Sequence, residues 1–110
     1  MTRDDPAVDA HDPRKRNRDR LARLDSTLKA ISHPVRRHIL LNLHIRGESM
    51  TAGEIAGRYS CAWPTVARHL AVLRRAGLVV VERAGRNQIY RLQKERLKDV
   101  IDTWFAHFDL

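Results

Sequence analysis

Residues 64–92 change their hydrophobic period partway along, and this change limits the possible folds more than any other feature of the sequence. The first part has an apolar side chain every three or four residues, which predicts an amphipathic helix. After Gly77, which can end that helix in the left-handed conformation, the pattern becomes that of two β-strands joined by a turn at residues 84–87. The sequence therefore predicts a helix that is followed at once by a β-hairpin.

A short helix is predicted immediately before this stretch, over residues 52–59. Thr51 and Glu54 have the spacing of a capping box, in which each side chain binds the backbone N–H of the other residue. A link at residues 60–62 leads to the longer helix, which begins near Pro64. Two short helices joined by a tight turn and followed by a hairpin indicate a winged helix-turn-helix, whose second helix is the recognition helix.

The start of the chain differs from the rest because it has no apolar period. Residues 1–16 are polar and contain two prolines, so we expect a disordered arm there and one folded domain at residues 17–110. A helix is predicted from about Asn17, and Pro34 ends it and starts a second helix that continues to about His44. The basic run at residues 14–20 is either a DNA-contacting segment or a solvated tail.

The final helix is predicted over residues 94–108 and carries a wide apolar stripe that includes three of the six aromatic residues. This stripe packs either on the domain's own core or on a second copy of the chain. Because one small domain does not easily bury both this stripe and that of the first helix, we expect these two helices to form a two-fold dimer interface. The residues assigned to it are Leu21, Leu24, Leu28, Ile101, Trp104, Phe105 and Phe108.

The positive charge is concentrated around the recognition helix and the wing. The chain has a formal net charge of +8, and residues 58–91 contain seven arginines against one glutamate. Such a segment is either a solvated basic surface or a surface that contacts the phosphate backbone of duplex DNA, and its position favours DNA. Arg68 is predicted to read guanine, and His69 and Arg75 to contact phosphates. The full set of predicted DNA contacts is Pro64, Thr65, Arg68, His69, Arg75, Arg83, Arg86, Asn87 and Gln88.

The segments SHPVRRHILLNL, TAGEIA and WPTVARHLAVLRRAGLVVVERAGRNQIYRL resemble the ArsR/SmtB-type winged helix-turn-helix repressors over about residues 21–108. The most specific string is PTVARHLAVLRRAGLV. The resemblance implies a mainly α fold with five helices and a small β-hairpin wing, and a homodimer that represses transcription. It also implies a short strand near residues 49–51 that pairs with the wing. We expect a sequence-specific repressor that binds an inverted-repeat operator in duplex DNA.

Many members of that family sense metals, but neither of its familiar metal sites matches this chain. The family's Cys-x-Cys pair falls on residues 51–53, where there is no thiol. The second site needs a His two residues after Asp99, and Ile101 stands there. We therefore expect no metal ligands and no cofactor, because a zinc site needs about four clustered donors. His107 with a nearby carboxylate across a dimer is the alternative.

Cys61 is the other candidate for a sensor, because it lies near the start of the recognition helix. Oxidation there would add bulk at the DNA face, whereas the alternative is a small buried packing residue. Trp63 is expected to anchor the same turn in the core, and the alternative is that it stacks on the sugar-phosphate backbone of DNA. A redox or metal switch on this fold, and a protein-interaction module that has lost DNA reading, are the alternative functions. The sequence does not identify an inducer.

Other classes of protein are disfavoured by what the sequence does not contain. No apolar run approaches about 18 residues, so we expect no membrane span. A single cysteine and the absence of an apolar secretory segment at the start predict a cytoplasmic protein. No nucleophile–base pair or phosphate-binding glycine loop is recognisable, so we expect that the protein is not an enzyme.

Overall fold

The computed structural model describes residues 12–109, which form five α-helices and one three-stranded antiparallel sheet. The elements are α1 (Pro13–Ala30), α2 (Pro34–Ile45), β1 (Ser49–Thr51), α3 (Ala52–Ala56), α4 (Trp63–Arg75), β2 (Val79–Ala84), β3 (Asn87–Leu92) and α5 (Lys94–Thr103), followed by a 3₁₀ turn (Phe105–Phe108). The predicted mainly α winged helix-turn-helix is confirmed, and so is the short strand β1. In this fold α3 and α4 are the helix-turn-helix, and β2 and β3 are the wing.

Helix α1 begins at Pro13, so the predicted start at about Asn17 is wrong, and residues 13–16 of the expected disordered arm are helical. The reason is a local cap that the apolar pattern does not show. The Asp12 carboxylate accepts a hydrogen bond from the N–H of Arg14 at 2.9 Å, and Pro13 occupies the first helical turn. Residues 1–11 of the predicted arm lie outside the described residues.

The start of α3 follows the prediction, and its end does not. The Thr51 hydroxyl accepts from the N–H of Glu54 at 3.1 Å, and the Glu54 carboxylate accepts from the N–H of Thr51 at 3.1 Å, which confirms the capping box. The helix ends at Ala56 rather than at Tyr59. Beyond it, the N–H groups of Arg58 and Tyr59 donate to carbonyls three residues back, so the chain tightens into turns before the link to α4.

The sheet has the strand order β1-β3-β2, so the short strand before the helix-turn-helix pairs with the second strand of the wing. Thr51 lies opposite Ile89, and Ala84 lies opposite Asn87 across the hairpin. Only two residues therefore form the turn, and the first of them, Gly85, has a φ of 61°. A two-residue turn with a glycine at this position follows the right-handed twist of the strands. Asn87, the last residue of the predicted turn, is instead the first residue of β3.

The main core lies between α2, α4 and the sheet. Its largest fully buried side chains are Ile39, Leu43, Val66, Leu70, Leu73, Leu78 and Val79. Each buried aliphatic side chain of this size stabilises the fold by roughly 1.5–3 kcal/mol relative to an exposed one. A separate small cluster joins α1 to α5, where Leu24, Thr27 and Val100 are buried outside the main core.

The end of the chain differs from the prediction of one continuous helix to Phe108. Helix α5 ends at Thr103, and Trp104 has φ −121° and ψ −64°, which are not helical values. A 3₁₀ turn follows, so the last three aromatic side chains do not continue the stripe of α5. Leu24 also departs from its predicted role. It is buried within the protomer against α5, and therefore it offers little surface to a partner.

Candidate nucleic-acid interface

The sides of helix α4 differ in how far they are buried. Val66, Leu70 and Leu73 point into the core and are almost completely buried. About half a turn away lies the outer face of α4, which we define as four of its exposed side chains. These are Pro64, Thr65, Arg68 and Arg75. Four of the nine predicted DNA contacts therefore share one surface.

Arg68 occupies the middle of this outer face. Among residues 12–109, its side chain has neither a hydrogen-bond partner nor a carboxylate within 4 Å. The start of α4 is also free of a side-chain cap, because the N-cap residue is Ala62. An uncapped helix start is a region of positive potential that favours anions. The outer face can therefore offer an arginine fork and a helix N-terminus to a nucleic acid.

His69 lies on a different side of α4 from Arg68. Its ring centroid is 4.4 Å from that of His33, and its Nδ1 atom is 3.4 Å from Nη1 of Arg36. Burial lowers the pKa of His69 below its usual value of 6.5, and the nearby His33, Arg36 and Arg68 lower it further. A neutral imidazole between α2 and α4 suits packing, and the predicted phosphate contact of His69 stays a prediction.

Arg75 is part of a basic groove beside α4. It lines a cavity of about 370 Å³ together with Lys29 and Arg36, and no carboxylate lines this cavity. Arg36 also donates from Nε to the carbonyl oxygen of Ala30 at 2.6 Å, which satisfies the end of α1 and holds the guanidinium at the groove. Lys29 and Arg36 were missed by the sequence analysis because they belong to other helices, and only the fold brings them beside Arg75.

The wing carries two kinds of arginine. Arg91 pairs with Glu82 across the hairpin at 3.2 Å, and this carboxylate raises the pKa of Arg91. Arg83 and Arg86 are exposed and have no carboxylate within 4 Å in the part of the chain that the structure describes. The two uncompensated arginines lie at the tip with two more predicted contacts that are also exposed, Asn87 and Gln88.

The link between α3 and α4 does not pack as expected. Cys61 is exposed, and Trp63 keeps 38% of its surface accessible, so the expectations of a buried thiol and a core tryptophan are both wrong. The residue that does anchor this link is Tyr59. Its hydroxyl lies 3.0 Å from Nδ1 of His38 and accepts from the amide of Asn42 at 3.4 Å. Burial raises the pKa of Tyr59, so the hydroxyl stays neutral.

The predicted dimer surface is largely open. We call it the apolar face, and it consists of five side chains that are between 42% and 58% exposed. They are Leu21, Ile101, Trp104, Phe105 and Phe108. Leu28 is half-buried and Leu24 is buried. Trp104 and Phe108 pack edge to face with ring centroids 5.2 Å apart, and exposed apolar clusters are typical of a surface that packs on another protein.

Residues 12–109 bring together no group of three or more His, Cys, Asp or Glu side chains that could hold a metal ion. The Nδ1 atom of His107 lies 3.2 Å from the carbonyl oxygen of Trp104. Within the same described residues, no helix is long and apolar enough to cross a membrane.

Helix α4 is exposed and carries arginines, α3 precedes it, and a basic hairpin follows it. These features define a winged helix-turn-helix regulator that binds DNA. The comparisons with known proteins agree. A family model described as a helix-turn-helix domain matches residues 31–82. The transcriptional repressor SdpR of Bacillus subtilis is 36% identical over 85 residues, which are 77% of this chain and 91% of that repressor.

Two further comparisons identify the family within the helix-turn-helix proteins. The repressor SmtB of Mycobacterium tuberculosis is 34% identical over 80 residues, which span 73% of this chain and 58% of that protein. The structure of an ArsR-like transcriptional regulator from Rhodococcus sp. RHA1 superimposes with a TM-score of 0.69 at 28% identity, and it covers 81% of this chain and 85% of the other. The chain belongs to the ArsR/SmtB family of helix-turn-helix transcriptional repressors.

Proposed function

We propose that the protein is a homodimeric repressor that binds an inverted-repeat operator in duplex DNA and acts in the cytoplasm. The observation that carries the proposal is the outer face of α4. Its central residue, Arg68, is exposed and uncompensated, and Arg75 on the same face lies beside Lys29 and Arg36. A recognition helix lies in the major groove and reads base edges with residues near its N-terminus, which is where Thr65 and Arg68 are located.

The residues around α4 have separate roles in this proposal. Arg68 donates two hydrogen bonds to O6 and N7 of a guanine, and the Thr65 hydroxyl or methyl contacts the neighbouring base or phosphate. Arg75, with Lys29 and Arg36 beside it, neutralises backbone phosphates. Arg83 and Arg86 contact phosphates or enter the minor groove next to the recognition site, and Asn87 and Gln88 assist them. Pro64 fixes the first turn of α4 beside the DNA.

The dimer part of the proposal rests on the apolar face. Isolated apolar residues on a surface are ordinary, but five large ones in one region leave a substantial area in water. A two-fold contact through this face buries it twice, once on each protomer. Two copies of α4 would then meet two half-sites related by the same axis, and therefore the operator is expected to be an inverted repeat.

The first experiment measures binding of the full chain to DNA by fluorescence anisotropy. The probe is an inverted repeat from the upstream region of the protein's own gene, and the control is the same duplex with scrambled sequence, each at several salt concentrations. We expect a Kd of about 10⁻⁸ M or tighter for the operator and affinity at least about 10³-fold weaker for the control. Equal binding to both duplexes, followed by a random-site selection that enriches no sequence, would refute sequence-specific repression.

A redox switch at Cys61 is the second candidate, because the structure exposes this thiol close to the start of α4. Treatment with peroxide would then weaken operator binding in the wild-type protein and leave Cys61→Ser unchanged. The same loss in both proteins, or in neither, would exclude this thiol as the sensor. Zinc added in a parallel titration tests the remaining metal alternative.

A further inference from the structure

The contact between α1 and α5 leaves a cavity whose charges the DNA-binding proposal does not use. Its volume is about 170 Å³, and its walls come from both helices. Leu24, Thr27 and Val100 lie at the buried contact beneath it. We name this cavity the α1–α5 cleft. Its remaining lining residues are Arg20, Arg23, Arg96, Asp99, Asp102 and Thr103.

The cleft and the apolar face lie on opposite sides of the same two helices. Because a helix turns by about 100° per residue, Arg20 and Arg23 are on one side of Leu24, whereas Leu21 is on the other. The same arithmetic separates Asp99 from Ile101 on the two sides of Val100. A partner that covers the apolar face therefore leaves the cleft open to a small molecule.

The charged groups of the cleft do not form ion pairs with one another. Three guanidinium groups and two carboxylates line it, but none of the five forms an ion pair within 4 Å with any residue of the described chain. In contrast, Glu82 with Arg91 and Glu48 with Lys94 do pair elsewhere on the surface. Cations and anions that share a cleft and stay apart can be bridged by one molecule that carries both charges.

Arg96 connects the cleft to the recognition helix. Its guanidinium lies against Gly77, the residue that follows the end of α4 with a φ of 78°. A methyl group at Gly77 would lie only 2.9 Å from Nε of Arg96, so this close contact depends on the glycine. A ligand that draws the Arg96 side chain into the cleft would move it away from the end of α4.

We propose that the α1–α5 cleft is an effector site for a zwitterion of amino-acid size, whose carboxylate binds the arginines and whose ammonium group binds Asp99 and Asp102. The size is consistent, because an apolar cavity of about 150 Å³ in another protein holds a benzene-sized molecule. Release of Arg96 from Gly77 on binding lowers the affinity of α4 for the operator. This coupling, unlike the binding itself, rests on the DNA-reading function proposed above.

Binding is tested first without DNA, by titrating each standard amino acid into the full chain in a calorimeter and by following Tm at saturation. Acetate, methylammonium and inorganic phosphate serve as probes with a single kind of charge. We expect at least one amino acid to bind and to raise Tm, whereas the single-charge probes do not. If no amino acid binds, or if acetate or phosphate binds equally well, the zwitterion site is refuted, whether or not the protein binds an operator.

Variants then locate the site. Arg23→Gln and Asp102→Asn remove one charge of each sign from the cleft, and both residues are exposed, so the fold should tolerate the changes. Each is expected to weaken binding of the amino acid by about tenfold or more, because each removes one charge-assisted hydrogen bond. Arg18→Gln and Asp19→Asn are matched controls on α1 that do not line the cleft, and equal losses in the controls would contradict this location.

The coupling has its own measurement. Saturating amino acid should weaken operator binding by a factor of about 5 or more, and operator DNA should weaken amino-acid binding by the same factor. In the Arg96→Gln variant, the amino acid should change the affinity for operator DNA by no more than about twofold. Unchanged operator affinity in the wild-type protein would refute the coupling, and failure to bind any operator would instead refute the DNA-binding proposal.

Discussion

The surface around α4 and the wing and the surface at α1 and α5 are both exposed, but for different chemical reasons. The first is exposed because its side chains are charged, and water solvates Arg68, Arg83 and Arg86 well. The second is exposed although it is apolar, and Trp104 and Phe105 gain nothing from contact with water. Exposure alone therefore does not identify a binding surface. A charged surface is stable in water without a partner, whereas the proposed dimer would remove the apolar face from water.

The largest expected effect is on the apolar face. Ile101→Asp should weaken dimerisation by at least about 3 kcal/mol, because each two-fold contact loses the side chain twice. Leu41→Asp on α2 is the matched control, since both residues are 58% exposed and lie in helices. Sedimentation at micromolar concentration should show a monomer for Ile101→Asp and a dimer for Leu41→Asp. A dimer in both variants would show that the interface lies elsewhere on the surface.

The next effect is on base reading at the other surface. Arg68→Ala should cost about 1–3 kcal/mol in operator binding and change binding to scrambled DNA much less. Arg75→Ala should weaken binding to both duplexes by similar factors, because its predicted partners are phosphates. Anisotropy titrations of the two variants on the two duplexes measure this difference. Equal losses on both duplexes for Arg68→Ala would contradict its role as a base reader.

A smaller effect separates the two kinds of arginine in the wing. Arg86→Ala should reduce the slope of log affinity against log salt by about one, as expected for one lost phosphate contact. Arg91→Ala should change this slope less, because Glu82 already neutralises Arg91. The measurement is the operator affinity at several salt concentrations. An equal change in both variants would show that the ion pair does not distinguish them.

The smallest expected effect is on the pH dependence of stability, through His69 of α4. The folded protein lowers the pKa of His69 from 6.5, so between the two pKa values the unfolded chain binds more protons. The stability that depends on neutral His69 is thus complete above pH 6.5 and is lost as the pH falls through the folded pKa. Urea midpoints at about pH 7.5 and 5.5 should differ less in His69→Gln than in the wild-type protein. His44→Gln, an exposed histidine on α2, should keep the wild-type difference.

The sequence predicted well those features that depend on local chemistry. The Thr51 capping box, the glycine at the end of α4 and the two-strand wing all follow from short-range rules, and each is present in the structure. The start of α1 was missed because its signal is the cap at Asp12, which is independent of apolar period. The end of α5 was misjudged because aromatic residues at helical spacing continue beyond Thr103, where the helix does not.

Features that depend on which elements meet were harder to predict. An apolar stripe shows that a side chain is buried but not what buries it, so Leu24 was assigned to a partner and instead packs on α5. His69 adjoins Arg68 in the sequence, but it packs beside His33 and Arg36, and no pattern along the chain predicts that contact. The basic groove of Lys29, Arg36 and Arg75 joins three helices, and no pattern along the chain relates these residues.

Thr51 belongs to two elements at once, since it pairs with Ile89 in the sheet and also caps α3. Thr51 therefore joins the sheet of the wing directly to the helix-turn-helix. For protein engineering, we expect DNA preference to transfer between relatives when residues 49–92 are exchanged as one segment. If α4 alone were grafted, the hairpin would keep the strand register of the host protein. If the hairpin alone were grafted, β3, which pairs with Thr51 at the start of α3, would be replaced.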